Sequence, residues 1–298
     1  MENDGRLAVI SVREEHPRQF HTLLRKLHLE DPDSSGQQDA EKYLEELVGP
    51  ARRDGLAVEV VVANGNPFVE ITRAVLRNHH DLVIKTIQSE GLVRQTFFGS
   101  CDMHLLRKCP APLLLIATDA PDRYRHILVP LDPNRDDGVK QQLGVDLLKL
   151  ATSLADMDDA KLSVLHAWNA YAEDRLRRSL SDSAFKDYSG LWHEDVSRRT
   201  RGFISDFERH IRPDCIHLVH GGPGDIIPQF AHEHRVDLTV MGTLGNLGRH
   251  GVFVGDTAER VLNQLECSVL AIKPPGFVSP VKTHDAASQA SPQPGETA

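Results

Sequence analysis

Apolar residues in the second half of the chain fall in short blocks spaced by longer amphipathic stretches. Residues 127–131 (ILVPL), 162–165 (LSVL), 216–219 (IHLV), 238–241 (LTVM) and 269–272 (VLAI) are four- or five-residue runs bounded by polar or turn residues. Runs of that length, flanked by punctuation, predict strands. Between them the period changes. Leu143, Leu147, Leu150 and Leu154 repeat at helical spacing, a long charged stretch from about 179 to 211 predicts another helix, and residues 226–234 a third. After Gly255, the residues Ala258, Val261, Leu262 and Leu265 fall at i, i+3, i+4 and i+7. Strands alternating with helices predict a parallel sheet covered on both faces.

The first half repeats the pattern. A shift of 156 positions aligns residues 56–117 with 212–273 without a gap and with ten identities in 62 positions. The identities sit at punctuation: Gly65 with Gly221, Pro67 with Pro223, Asp81 with Asp237, Gly99 with Gly255. A gapless match that keeps strand, turn and helix in phase predicts two domains of one fold. Strand starts in the second half, near 127, 162, 215, 238 and 269, have four counterparts in the first, near 7, 57, 81 and 112. By spacing, the run at 7–12 matches the second strand of the other half, so the first domain lacks an N-terminal strand and helix. In a doubly wound sheet that strand is central, and its loss leaves backbone groups without partners. Three resolutions are open: a start farther upstream, the strand at 7–12 taking the central place, or the other domain filling in. The expected organisation is a first domain over 1–119, a second over 124–274 and a disordered tail over 275–298, rich in Pro, Ser, Ala and Gln. The linker at 120–123 is short enough to predict an intrachain pseudo-dimer, and a homodimer of chains is also open.

Composition narrows the function classes. With 40% hydrophobic and 26% charged residues the 298-residue chain can bury a core and stay soluble, and it has no apolar run near the length of a membrane span. The first residues, MENDG, lack the pattern of a secretory signal. A net charge of -9 argues against direct nucleic-acid binding. The cysteines at 101, 109, 215 and 267 show no disulfide spacing, which fits a reducing compartment, and the expected location is the cytoplasm.

Candidate chemistry centres on residues 241–258, which leave a strand, pass five glycines and enter a helix. Glycines let backbone N–H groups approach a phosphate, although a flexible loop has the same composition. Elsewhere Cys101, His104 and Cys109 share a predicted helix without a convergent fourth ligand, so core packing is the simpler reading. Residues 221–225 (GGPGD) read as a strand-to-helix turn with Pro223 at a helix start. No Walker loop, Gly-x-Ser-x-Gly elbow or His-x-Gly-His occurs, and an enzyme is not expected.

The spacing Gly242-x2-Gly245-x9-Gly255 resembles the nucleotide loop of the universal stress protein family. The stretches HDLVIK at 80–85 and HLLRKCP at 104–110 resemble the first domain of its tandem bacterial type. The resemblance covers nearly the whole chain. It implies an α/β architecture of two tandem doubly wound, mostly parallel five-stranded domains of the adenine nucleotide alpha hydrolase-like class. It also implies a role in stress resistance, including resistance to DNA damage, without direct DNA binding. By the resemblance, Asp132 sits where members place an aspartate near ribose or adenine. Gly242, Gly245 and Gly255 match the phosphate-loop glycines, with Asp256 and Thr257 next to them, and ATP is the candidate cofactor.

Asp256 departs from the family's Ser or Thr. A carboxylate there repels a phosphate, and Asp256-x-x-Glu259 fits a capping box. In the first domain Thr86 and Ser89 replace the first two loop glycines and Leu92 the third, so its nucleotide site is expected to be lost. Two function classes follow. One is a non-catalytic tandem stress protein that binds a small ligand or a protein partner; the other is an adenine-nucleotide-binding sensor. A non-nucleotide metabolite in an apolar cleft is a third possibility.

Overall fold

A computed structural model describes residues 5–13, 26, 36–87, 98–133, 137–243 and 255–283. The chain forms two compact units, residues 80–280 and residues 1–79 with 281–298. This division differs from the repeat, because the last two strands of the first half belong to the larger unit.

In the larger unit seven strands form one sheet. They are β3 (Val83–Thr86), β4 (Leu113–Ile116), β5 (His126–Pro130), β6 (Lys161–Trp168), β7 (Ile216–His220), β8 (Leu238–Gly242) and β9 (Ser268–Ile272), in the order β3-β4-β9-β8-β5-β6-β7. The five strands of the second half are mutually parallel, with β5 at their centre between β6 and β8. This explains the unbroken apolar run at the start of β5. Ile127, Leu128 and Val129 are all fully buried, because a central parallel strand is covered on both faces.

One face carries Ile127, Val129, Leu162, Val164, Leu238 and Val240 against the helices α4 (Gly138–Asp158) and α6 (Asp182–Ile204). On α4 the buried residues Leu143, Leu147 and Leu148 supply the facing stripe. Asp137 caps its first turn, accepting from the N–H groups of Val139 (3.1 Å) and Lys140 (3.2 Å). A short α5 (Glu173–Ser179) precedes α6. Elsewhere α7 (Pro223–Glu233) packs on β6, and α8 (Asp256–Leu262) packs against α7.

The two halves of this sheet meet edge to edge. β4 pairs antiparallel with β9 in the register Leu113↔Ala271, Leu114↔Leu270, Leu115↔Val269. Leu114 and Leu270 are equivalent under the 156-residue shift, so the pairing is isologous about them, as across the two-fold of a symmetric dimer. Around it, α3 (Ser100–Lys108) places Arg107 against Glu259 of α8, and the Ser268 hydroxyl accepts from the Ala117 N–H at 3.0 Å. Lys273 donates to the Leu106 carbonyl and to Thr243 Oγ1 (3.1 Å), and burial lowers its pKa to about 8.

Backbone geometry repeats with the sequence. Gly65 and Gly221 have φ of +135° and +138°, and His79 and Arg235 are left-handed at 54° and 50°. Pro67 and Pro223 each open a helix, while Gly99 and Gly255 are extended N-caps. At Gly221 a β-carbon would also lie 2.8 Å from Ile226, so both conformation and space require glycine.

The two halves differ at the outer edge of the first. Among the described residues β3 pairs only with β4, whereas its equivalent β8 has neighbours on both edges. Leu82 and Ile84 are 44% and 56% exposed, while their equivalents Leu238 and Val240 are at 0%. β1 (Leu7–Arg13) pairs in parallel with β2 (Val58–Asn64), Leu7↔Val58 through Arg13↔Asn64, as a separate two-stranded sheet.

The smaller unit also contains α1 (Gly36–Arg53) and α2 (Pro67–Asn78), with Leu44, Val48, Thr72 and Val75 buried. Of the expected tail, residues 275–280 lie in the larger unit, where the Ser279 hydroxyl donates to the Lys108 carbonyl at 2.7 Å. Residues 284–298 lie outside the described ones.

Three histidines gather at the N-terminal end of the second-half sheet. His126 bonds through Nδ1 to the His234 carbonyl (3.0 Å) and through Nε2 to Ser163 Oγ (2.8 Å). His217 stacks 4.7 Å from Phe230 and 5.8 Å from His234, and its Nε2 is buried without a hydrogen-bond partner. Burial lowers the pKa of both His126 and His217. Neither is charged in either state well above pH 6.5; below it the unfolded chain takes up protons that the native state refuses, so their contribution falls with pH. Denaturant melts between pH 7.5 and 5 are expected to show a flatter loss of stability in His217→Leu than in the wild type. A parallel loss in the two proteins would assign the acid sensitivity to other groups.

Candidate functional site

The C-terminal ends of β5, β6 and β8, with α4, α6 and the start of α8, enclose a cavity of about 770 Å³. It lies where neighbouring connections leave the sheet in opposite directions from the central strand, the usual ligand position in an open α/β sheet. Five of the six sequence-predicted residues line it: Asp132 after β5, Gly242 at the end of β8, and Gly255, Asp256 and Thr257 at the start of α8. The sixth, Gly245, lies outside the described residues, as do Ser89, Leu92, Arg249 and His250.

Each position has a local cause. Gly242 allows α4 to approach β8, since a β-carbon there would lie 2.5 Å from Leu143 Cδ2. Its absent side chain therefore serves helix packing, a role the loop pattern did not suggest. The expected capping box does not form. Gly255 is the N-cap of α8, no side chain caps it, and Asp256 is the first helical residue. That register makes Ala258 the N3 residue, which has no group to reach back, and Glu259 turns instead to Arg107. Asp256 thus leaves an exposed carboxylate on the lining.

The cavity contains groups that sequence reading missed. His166 and Trp168, two apart on β6, share the α4/α6 face, and Lys140 joins from the first turn of α4. Nδ1 of His166 lies 2.8 Å from the Leu131 carbonyl, which can only accept, so that nitrogen carries the proton and Nε2 is an acceptor in the neutral ring. Burial lowers its pKa; the Leu131 bond and Asp132 oppose the shift, and Arg199 adds to it. Trp168 is 8% exposed, stacks edge-on to His220 at 5.0 Å, and its buried indole nitrogen has no hydrogen-bond partner. His220 is held in turn by Glu173 at 2.8 Å, a bond that lowers the Glu173 pKa. From α6 come Trp192, Val196 and Arg199. The position of His166 and Trp168 at a strand's carboxyl end was the available signal; nothing in the spacing of α6 indicated which of its faces lines a cavity.

At the equivalent place in the first half, the residues matching Met241 and Ala258 are Lys85 and Asp102. Lys85 Nζ lies 2.8 Å from Asp102 Oδ1, with Asp102 only 1% exposed. Asp102 also accepts from the Gly99 N–H at 3.0 Å. The space that Met241 and Ala258 leave beside the second-half cavity is spanned here by an ion pair. Among the described residues no group of three or more His, Cys, Asp or Glu side chains could hold a metal, and no helix is long and apolar enough to cross a membrane.

Comparison with known proteins covers most of the chain. The model of the universal stress protein family matches residues 1–117 and 123–273. Universal stress protein E of Escherichia coli K12 is 27% identical over 235 residues, 78% of this chain and 73% of that protein. The Haemophilus influenzae homologue is 28% identical over 217 residues, 72% and 69% of the two chains. Among solved structures, a functionally unknown protein of Pseudomonas aeruginosa PAO1 superposes with a TM-score of 0.69 at 22% identity, over 91% of this chain and 94% of its own. A universal stress protein of Archaeoglobus fulgidus superposes with a TM-score of 0.60 at 18% identity, over 90% and 86%. At these identities the structures establish the fold alone.

The ion pair in the first half yields a test. Lys85→Met leaves the Asp102 carboxylate buried without its cation and is expected to cost about 2–4 kcal/mol. Adding Asp102→Ala recreates the Met/Ala pair of the second half and should recover most of that loss, short of about 1 kcal/mol for the bond to Gly99. Urea melts of the two variants check the order; a double variant less stable than Lys85→Met would contradict it.

Proposed function

This chain belongs to the universal stress protein family, and from that premise we propose that it is a non-catalytic protein of stress resistance that acts by binding a small ligand in the second-half cavity. The observation that carries the reading is the cavity itself: about 770 Å³, lined by both apolar and polar residues, at the carboxyl ends of the strands. The sequence contains none of the catalytic sets sought: no Walker loop, no nucleophile elbow, no His-x-Gly-His. The reading places the protein in the cytoplasm.

A second reading, an adenine-nucleotide sensor, is favoured by the gathering of Asp132, Gly242, Gly255, Asp256 and Thr257 around one cavity. Against it stands Asp256, which adds a negative charge to the lining at the start of α8. Two like charges about 4 Å apart in water repel by about 1 kcal/mol. Calorimetric titration of ATP, with mass spectrometry of molecules that co-purify with the protein, separates the two readings. If ATP is the ligand, Asp256→Ser should tighten it about fivefold. No ATP heat in either protein would remove the sensor reading, and a co-purified metabolite would then identify the ligand of the first.

A further inference from the structure

Among the described residues, the lining of the second-half cavity carries no excess of positive charge: Lys140 and Arg199 are its cations, Asp132 and Asp256 its acidic residues, and these four formal charges cancel. They are also not equivalent. Lys140 lies 3.9 Å from the Asp137 carboxylate. Arg199 pairs through Nη2 with Asp195, but the other oxygen of that carboxylate is taken by Arg198, so one anion serves two guanidinium groups. Arg199 Nε is buried and has no hydrogen-bond partner, and the guanidinium lies 5.9 Å from the Trp192 ring centre. The Arg199 side chain is 37% exposed and lines the cavity, so an anion there can reach a guanidinium that its shared carboxylate only partly neutralises.

The surroundings favour an apolar body. Leu143, Leu147, Leu165, Val196, Ile227 and Val261 line the same space, and Trp168 and Trp192 add flat aromatic walls. The Trp168 indole nitrogen is a second buried donor without a partner.

We propose that the cavity takes a small amphiphilic monoanion, an apolar ring-bearing molecule with one carboxylate, sulfonate or phosphate-type group, and that Arg199 holds the anionic group. The inference rests on the reading that this cavity binds a ligand. It moves the anion from the glycine loop, where Asp256 stands, to α6.

The test uses the full chain and two probes of one shape. 1-Anilinonaphthalene-8-sulfonate carries one negative charge; N-phenyl-1-naphthylamine lacks it. The only two tryptophans of the chain both line the cavity, so quenching of their emission reports its occupancy. The sulfonate is expected to bind with one site per chain and to weaken at least tenfold in Arg199→Gln, while the neutral probe stays within twofold. Arg199→Lys, which keeps the charge, should recover part of the sulfonate affinity. Should Arg199→Gln not fold, rising salt must still weaken the sulfonate and not the neutral probe in the wild type.

Sulfonate binding that is indifferent to Arg199→Gln, or lost in step with the neutral probe, overturns the assignment and leaves the ligand-binding reading standing. If neither probe quenches the tryptophans, both fail together.

Discussion

A parallel strand at the centre of a sheet needs a hydrogen-bonding neighbour on each edge and a packed layer on each face, and the two halves of this chain meet that requirement differently. In the second half β5 has β6 and β8 beside it, and its residues Ile127 through Val129 are fully buried. In the first half no described strand pairs with the outer edge of β3, and Ile84 is 56% exposed where its equivalent Val240 is at 0%. Only the other edge of the pair β3-β4 is secured, by the isologous contact of β4 with β9. That contact brings Arg107 to Glu259 and Lys273 to the Leu106 carbonyl. The sheet pairing therefore decides where the charges of both halves end.

The same requirement explains why one half has a cavity and the other an ion pair. A cleft at the carboxyl ends of parallel strands arises where the chain turns opposite ways from a central strand. With β5 in place, Met241 and Ala258 can stand back from the space above it, and α4 and α6 close the sides. Without an equivalent strand beside β3, the same positions hold Lys85 and Asp102, whose charges satisfy one another across that space. Thr86, at the position of Gly242, is exposed.

Much of this was legible in the sequence because it follows from local chemistry. Short apolar runs between amphipathic stretches located the strands, and the repeat located residues with unusual backbone: Gly65 with Gly221, Pro67 with Pro223. An uncovered strand edge in the first half was also foreseeable, since four apolar runs there stood against five in the second. What was not legible depended on contacts between distant segments. The antiparallel register of β4 with β9 joins residues about 156 positions apart, and no local pattern encodes it. Asp256 was read as a cap because the spacing to Glu259 fits one; the helix starts one residue earlier, and Arg107, brought from the other half, claims Glu259.

The chemistry of the cavity follows the same division. Its glycines and Asp132 flank strands that sequence reading located, so they could be named in advance. Trp192 and Arg199 come from the long connection between β6 and β7, read from the sequence only as a charged helix, whose charged residues are expected to be solvated. Most of them are: Arg198 is 77% exposed. Arg199, one residue on, is 37% exposed and lines the cavity, with its Nε buried and Asp195 shared with Arg198. A rotation of about 100° per residue separates the two fates. At the described ends of the glycine loop, Gly242 lies against Leu143 of α4 and Asp256 adds a negative charge to the lining. Arg199, the guanidinium proposed to hold the anion, is supplied by α6 rather than by that loop.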